Sequence, residues 1–378
     1  MLGLCYTLWL MFSGEKLFMK KVLVLGGGRI GAAIAKNLSV DHQVTVADLN
    51  TSHLNHLQDD CQITQANACD NNELAALVQP FDLVVGALPS LLGFDRLRQL
   101  IALKKTIVDI SFFAEDALTL NDLAKANNVT ALVDFGLAPG ISNLYAGHFV
   151  DQFDQVESFA CKVGGVPVER LKPFEYKAPF APLDVIEEYT RPARMRRDGK
   201  DVTFPAMSEI ESLYFKGVGH MEAFNTDGLR SLLQTVDIPT MAEKTVRYNG
   251  HAHLIQQLID GGFFKAEHRD ATARVLLEQW QFEENEPDLT VMEISAQGIK
   301  NGQPKSENHQ LIDHYDHDNK VSSMARTTGY TCAAGVRLAL SHELPSGVLP
   351  PEIVGQNQTW FNHIMDELAS HNIKLKIT

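Results

Sequence analysis

The chain has 378 residues, more than one hydrophobic core of ordinary size accommodates, so two domains are expected. Its 45% hydrophobic and 21% charged residues are the balance of a soluble globular protein. A formal net charge of −14 argues against nucleic acid or an anionic membrane as main partner, and an anionic substrate would need a local basic pocket. The cysteines, Cys5, Cys61, Cys69, Cys161 and Cys332, lack C-x-x-C spacing. They fit a reducing compartment, and no metal site is expected.

Residues 1–18 read as an N-terminal extension. Leu2 to Phe12 is apolar but too short to span a bilayer, with no basic start or small-residue cleavage site. Val22 to Leu25 then reads as a buried strand. Gly26, Gly28 and Gly31 follow at G-x-G-x-x-G spacing and lead into a helix from Ala32 to Leu38. Such glycines allow a tight turn, close approach of a pyrophosphate, and close helix packing. Gly26, Gly28, Arg29, Ile30 and Gly31 are therefore expected to hold the phosphates of a dinucleotide at a helix N-terminus. A second strand, Gln43 to Ala47, ends at Asp48, where a carboxylate binds the ribose hydroxyls of NAD and repels the 2′-phosphate of NADP.

The alternation continues through a helix at Thr51–Gln58 and strands at Gln62–Ala66, Asp82–Leu88, Thr106–Ile110 and Thr130–Phe135. Helices are expected at Glu73–Val78 and Leu118–Asn127. Asp70 sits where it could meet the adenine or cap the next helix. Ala87, Leu88 and Pro89 offer small residues at a strand exit for the cofactor to pass. This rhythm predicts an α/β, Rossmann-type doubly wound parallel sheet, whose ligands bind beyond the carboxyl ends of the strands. That rim carries Asp48, Ala87, Asp109, Ser111, Asp134 and Gly136. A break at Gly136–Gly140 precedes a helix at Ile141–Val150. It divides residues 19–140, an NAD-binding domain completed by 321–378, from residues 141–320, a substrate and dimerisation domain. The second domain is expected to be α+β with a mixed sheet.

In that second part, strands are read at Val156–Val163, Phe174–Ala178 and Glu243–Tyr248, and a short helix at Asp184–Tyr189. Thr190–Lys200 holds five cations in eleven residues around an Asp198-Gly199 hairpin turn. Arg191 and Arg194 are candidates for substrate, Arg196 and Arg197 for the surface. Met221–Val236 reads as a loop and helix, with Arg230 in its first turn, where a cation opposes the dipole. His251 and His253 read as alternating on a strand. The run Asp313 to Asp318 reads as a hairpin tip, not a metal box. Ser322–Leu340 is a small-residue helix expected to pack back on the first domain, and Phe361–Ala369 a terminal helix.

The stretches VLVLGGGRIGAAIA, VVGALPSLLGF, VDISFFAEDAL, DFGLAPGISN, EEYTRPAR, EAFNTDGLRSLL, EKTVRYNGH and SSMARTTGYT resemble the saccharopine dehydrogenase superfamily, within it the lysine 6-dehydrogenase branch. The resemblance implies NAD-linked oxidation of the ε-amine of L-lysine to 2-aminoadipate 6-semialdehyde, which cyclises to piperideine-6-carboxylate, with release of ammonia. It also implies a cytoplasmic homodimer. Such chemistry needs a neutral amine, although its proton normally leaves at a pH of about 10. Asp109, Asp134 and His251 are open candidates for the base. Arg191, Arg230 and Arg247 are candidates for the α-carboxylate, Asp227 or Glu222 for the α-ammonium, and Tyr176 and Lys177 for the pocket. A saccharopine- or carboxynorspermidine-type dehydrogenase and a non-catalytic NAD-binding protein are the alternatives.

Overall fold

Val22 to Leu25 are fully buried, as an apolar run without alternation requires of a strand covered on both faces. They belong to β1 (Lys21–Leu25) in a computed structural model that describes residues 19–178 and 182–378. The expected N-terminal extension lies outside the described residues. The chain continues through β2 (Gln43–Asp48), β3 (Gln62–Gln65), β4 (Leu83–Gly86), β5 (Thr106–Asp109) and β6 (Thr130–Leu132). All pair in parallel, and the sheet order reverses between β1 and β4, the switch point at which doubly wound sheets bind ligands.

Eight strands follow before the chain returns: β7 (Gln155–Pro167), β8 (Ala193–Arg197), β9 (Lys200–Phe204), β10 (Glu211–Phe215), β11 (Gly219–Asn225), β12 (Thr240–Tyr248), β13 (Asp288–Lys300) and β14 (Gln303–His314). They make a mixed sheet in the order β10-β11-β12-β7-β13-β14, with β8 pairing β12 and β9 pairing β8. Only β12 and β7 run parallel in it. The helix Ser323–Ser341 then crosses back. Gly329 lets it lie against Ile30, Ala33 and Ile34 of the helix Arg29–Leu38, since a Cβ there would meet them at 3.2–3.5 Å. After it, β15 (Gly347–Leu349) adds a seventh parallel strand beside β6, and β16 (Lys376–Ile377) pairs β14. One buried cluster runs from Val22 and Val46 through Leu144 and Phe149 to Phe159 and Met292, so the two sheets share a core.

Several local expectations are corrected. Thr51–Gln58 contains only a single 3₁₀ turn, Asn55–Leu57, because Leu54 and Leu57 alone reach the core from an exposed polar stretch. Phe174–Ala178 is not a strand: a turn at Lys172–Phe174 and a left-handed Glu175 (φ 47°) break the extension. Met221 lies inside β11, and the helix expected there shrinks to Leu232–Thr235. Arg230 therefore precedes that helix, in a left-handed conformation (φ 50°). His251 and His253 are helical, within His251–Asp260, because Gly250 (φ 94°) ends β12. Glu222 accepts bonds from Gly250 N and Ala252 N there, a helix cap and not a free ligand for an ammonium. The Asp313–Asp318 turn leads through a single bridge, Asp316 to Val321, into the returning helix, and no metal-holding cluster exists among the described residues.

Asp288, at the start of β13, ties the second sheet to the returning helix. Its carboxylate accepts from Ser323 N (2.6 Å) and Met324 N (3.1 Å). Asp288→Ala strands both amides in a buried setting, and the stability measured by denaturant unfolding should fall by about 2–4 kcal/mol.

Candidate functional site

At the switch point, the glycine turn is held by close backbone contacts. A Cβ on Gly26 would lie 2.3 Å from the Ala87 carbonyl oxygen, and one on Gly31 2.0 Å from that of Gly26. A Cβ on Gly28 would meet nothing within 4 Å, so this residue faces open space. The helix Arg29–Leu38 begins there with no side-chain cap and no acidic residue in its first turn, leaving its amides for an anion. Asp48 closes the turn: its carboxylate accepts from Gly27 N (2.6 Å) and Asn50 N (2.9 Å). The set fits a pyridine dinucleotide, with phosphates over Gly28 and a ribose toward Asp48. Ile30 is half-buried in the core beneath. Arg29 donates to the Phe282 carbonyl (3.4 Å), and its guanidinium lies 5.6 Å from the Phe282 ring. Lys177 approaches the same ring and is paired with Glu286 at 2.5 Å. Asp70 caps the helix Asn71–Leu77, accepting from Asn72 N and Glu73 N. Leu88 and Pro89 continue from Ala87 into the helix Ser90–Ala102, which the sequence reading had missed.

Asp109, at the end of β5, is buried against Gly86 and does not line the cleft described below. It accepts from Ser111 N (2.7 Å) and Ser111 Oγ (3.4 Å) and shapes the turn before Phe112. Burial pushes its pKa up to about 8, against the Ser111 bonds that lower it. Next to it, Asp134 takes Arg230 in a two-point pair, Nε to Oδ2 at 3.1 Å and Nη2 to Oδ1 at 3.0 Å. Arg230 also donates to the Phe113 carbonyl and lies 4.9 Å from the Phe112 ring. Both side chains are buried, so this arginine and this carboxylate spend their charge on each other across the two sheets.

A small cleft opens beside that pair, lined by Phe112 and Ala138 from the rim and by residues of the second sheet and its flanking helix. Four acidic residues line it: Glu187, Glu188, Asp227 and Glu243. Arg191 is the cation in the lining, 3.8 Å from Glu187. Arg194 binds Asp227 in a two-point pair, 2.9 Å each. Arg196, assigned to the surface, instead turns inward onto the Leu233 and Val236 carbonyls. Glu188 takes Arg247 Nη2 at 3.1 Å.

Arg247 is buried behind the cleft, 4.4 Å from the Tyr176 ring centroid. Its Nε donates to Tyr189 Oη (3.1 Å), which lies 2.9 Å from His251 Nε2; His251 Nδ1 lies 3.0 Å from the Phe174 carbonyl. A carbonyl only accepts, so Nδ1 carries the proton and Nε2 accepts from Tyr189. Burial, reinforced by Arg247, pushes the His251 pKa down to about 3, so the ring stays neutral. Arg247, Tyr176 and His251 thus form a wall that reaches the cleft through Glu188.

Glu243 was not anticipated. It is 6% exposed, and its Oε2 accepts from Thr226 Oγ at 2.7 Å. Among the described residues it forms no ion pair. Burial, with Glu188 and Asp227 adding to it, pushes its pKa up to about 8 against the Thr226 bond and Arg247. The available signal was the charged run Glu243-Lys244 inside a strand that proves buried along almost its whole length.

Residues 22–132 match the family model described as the saccharopine dehydrogenase NADP binding domain. Residues 136–373 match that of the saccharopine dehydrogenase C-terminal domain. The chain belongs to the saccharopine dehydrogenase family. It is 26% identical over 264 residues to the saccharopine dehydrogenase [NADP(+), L-glutamate-forming] of Pyricularia oryzae, covering 66% of this chain and 59% of that protein. Identity is also 26% over 271 residues to the mitochondrial alpha-aminoadipic semialdehyde synthase of Bos taurus, covering 67% and 29% respectively. The chain therefore spans less than two thirds of the length of these relatives. Its fold is that of the apo saccharopine dehydrogenase (L-Glu forming) from Saccharomyces cerevisiae, with a TM-score of 0.79 at 20% identity, over 95% of this chain and 99% of that one. No helix among the described residues is long and apolar enough to cross a membrane.

The Asp109 carboxyl gives a signed test. Its native pKa lies above the unfolded one, so its favourable contribution is complete below about pH 4 and is lost as pH rises to about 8. Asp109→Asn mimics the neutral form. Its melting temperature relative to wild type should climb between those pH values and level off above them; a pH-independent difference would show that Asp109 ionises freely.

Proposed function

We infer that the protein is a nicotinamide-dependent oxidoreductase acting on a carbon–nitrogen bond, and that its substrate is an amine: it oxidatively deaminates the ε-amino group of L-lysine. The observation that carries this reading is the charge of the cleft. Four carboxyls line it, and the nearby arginines are engaged by carboxylates. An ammonium substrate finds carboxyl oxygens to pair with in such a lining, Glu243 first among them. A saccharopine-type substrate carries additional carboxylates and needs more uncommitted cations, so the cleft favours the amine, although the names of the relatives favour the alternative.

NAD is the cofactor in this reading. Asp48 presents a carboxylate where a 2′-phosphate would have to sit, and the following Leu49 and Asn50 bring no cation. The family description names NADP, and Asp48 is the reason to depart from it here. Bound along Gly28 and Asp48, the nucleotide supplies a hydride acceptor. The protein holds the amine among carboxylates, keeps the carbon facing the rim at Phe112 and Ala138, and limits water. Arg191, whose partner Glu187 is 3.8 Å away, is the cation best placed to exchange that partner for an α-carboxylate.

A panel of amines, amino acids and saccharopine, each with NAD or NADP, tests this by reduced-cofactor absorbance and ammonia release. L-Lysine with NAD should give both products in equal amounts. Turnover of saccharopine alone, or none with any amine, overturns the reading. Asp48→Ala should raise the NADP-to-NAD ratio of kcat/KM by about tenfold or more, the size of one lost charge interaction of about 1.4 kcal/mol.

A further inference from the structure

The cleft holds one carboxyl that has no charge partner among the described residues. Glu187 meets Arg191 and Arg269, Glu188 meets Arg247, and Asp227 meets Arg194. Among the described residues Glu243 has only the Thr226 hydroxyl, which also lies 2.9 Å from Thr245 Oγ1. It is nine-tenths buried, and its side chain lines the cleft. Gly228 makes room for it: a Cβ there would fall 2.4 Å from the Glu243 carboxyl. A buried carboxyl without an ion partner is costly unless the site gains something from it.

We propose that Glu243 is the catalytic base of this site: it pairs with the reacting ammonium of the substrate and takes one of its protons. The proposal rests on the amine reading given above. An ammonium N–H gives its proton to the Glu243 carboxylate, and the nitrogen keeps the electron pair. The carbon then releases a hydride, with its two electrons, to the oxidised nicotinamide nucleotide, and a C=N bond forms. The proton stays on Glu243 until solvent removes it, and water hydrolyses the imine to aldehyde and ammonia.

The surroundings suit this duty. Glu188 and Asp227 face Glu243 and disfavour its charge, while Arg247 on the same strand favours it. Cys161, its register partner on β7, is buried and stays a thiol. Arg191 lines the same cleft. In the empty site the acid is neutral near pH 7, at a value of about 8. An arriving ammonium supplies the missing counter-charge and ionises it, so that binding itself arms the base.

Two readouts separate this inference from the function it rests on. The first uses the protein loaded with NADH, so that L-lysine binds without turnover. Titration calorimetry at pH 7 in buffers of different ionisation enthalpy should show release of roughly one proton per site. Glu243→Gln should release none while binding NADH as wild type does. The second readout is kcat/KM for L-lysine against pH. Wild type should rise through a limb near pH 8; Glu243→Gln should lose that limb and about 10²–10⁴-fold in rate. Glu243→Asp should keep the limb at reduced rate, and carries the comparison if the glutamine variant fails to fold. Proton release without lysine turnover supports Glu243 as the ammonium site and rejects the deamination reading. Lysine turnover by Glu243→Gln with an unchanged pH profile and proton release overturns the inference alone.

Discussion

The site depends on a buried ion pair between its two halves. Asp134, just past β6, and Arg230, just past β11, meet in a two-point contact and are both nearly solvent-free. Removing two charges from water is expensive, and geometry must repay it. Here it does so with paired donors, a further bond to the Phe113 carbonyl, and the aromatic faces of Phe112 and Phe113. Both residues also hold left-handed backbones, φ 58° and 50°, a strain of about 1–2 kcal/mol apiece that the pair must overcome. Two disfavoured conformations set opposite each other fix how the second sheet meets the strand ends of the first.

That junction determines what the cleft can attract. Once Arg230, Arg194 and Arg247 are committed to carboxylates, little positive charge remains to face a ligand. The carboxyls outnumber the cations in the lining, and burial holds Glu243 neutral while no cation among the described residues pairs with it. The same low polarity that protonates Glu243 would make its pairing with an arriving ammonium strong. A neutral His251, fixed between Tyr189 and the Phe174 carbonyl, holds Arg247 in register and through it Glu188. The buried network thus acts on the cleft only at its edge.

Much of the nucleotide half was legible because its determinants are local. Strand, glycine turn, helix and Asp48 follow within thirty residues, and each obeys short-range rules. The second half depends on long-range pairing. The β13–β14 hairpin escaped because Pro304–Glu307 is polar on both faces, exposed or half-buried throughout, and carries no two-residue alternation. His251 read as strand because the cue that ends β12 is one left-handed glycine, Gly250. The candidate site suffered from the same limit. Arg230, Asp134, Asp227 and Arg247 were recognisable as unusual charges, but sequence does not say that their partners are one another. Glu243 carried its signal in the burial of its strand, which becomes visible only once β7 and β11 flank it.

The central claim is that the acid-lined cleft at the strand ends receives the substrate nitrogen. The structure of the protein crystallised with NADH and L-lysine tests it most directly. The account predicts the lysine ε-nitrogen within hydrogen-bond distance of Glu243, with its carbon turned toward the nicotinamide at the Phe112–Ala138 rim. Lysine lodged elsewhere, or the nicotinamide ring lying away from that rim, would contradict it.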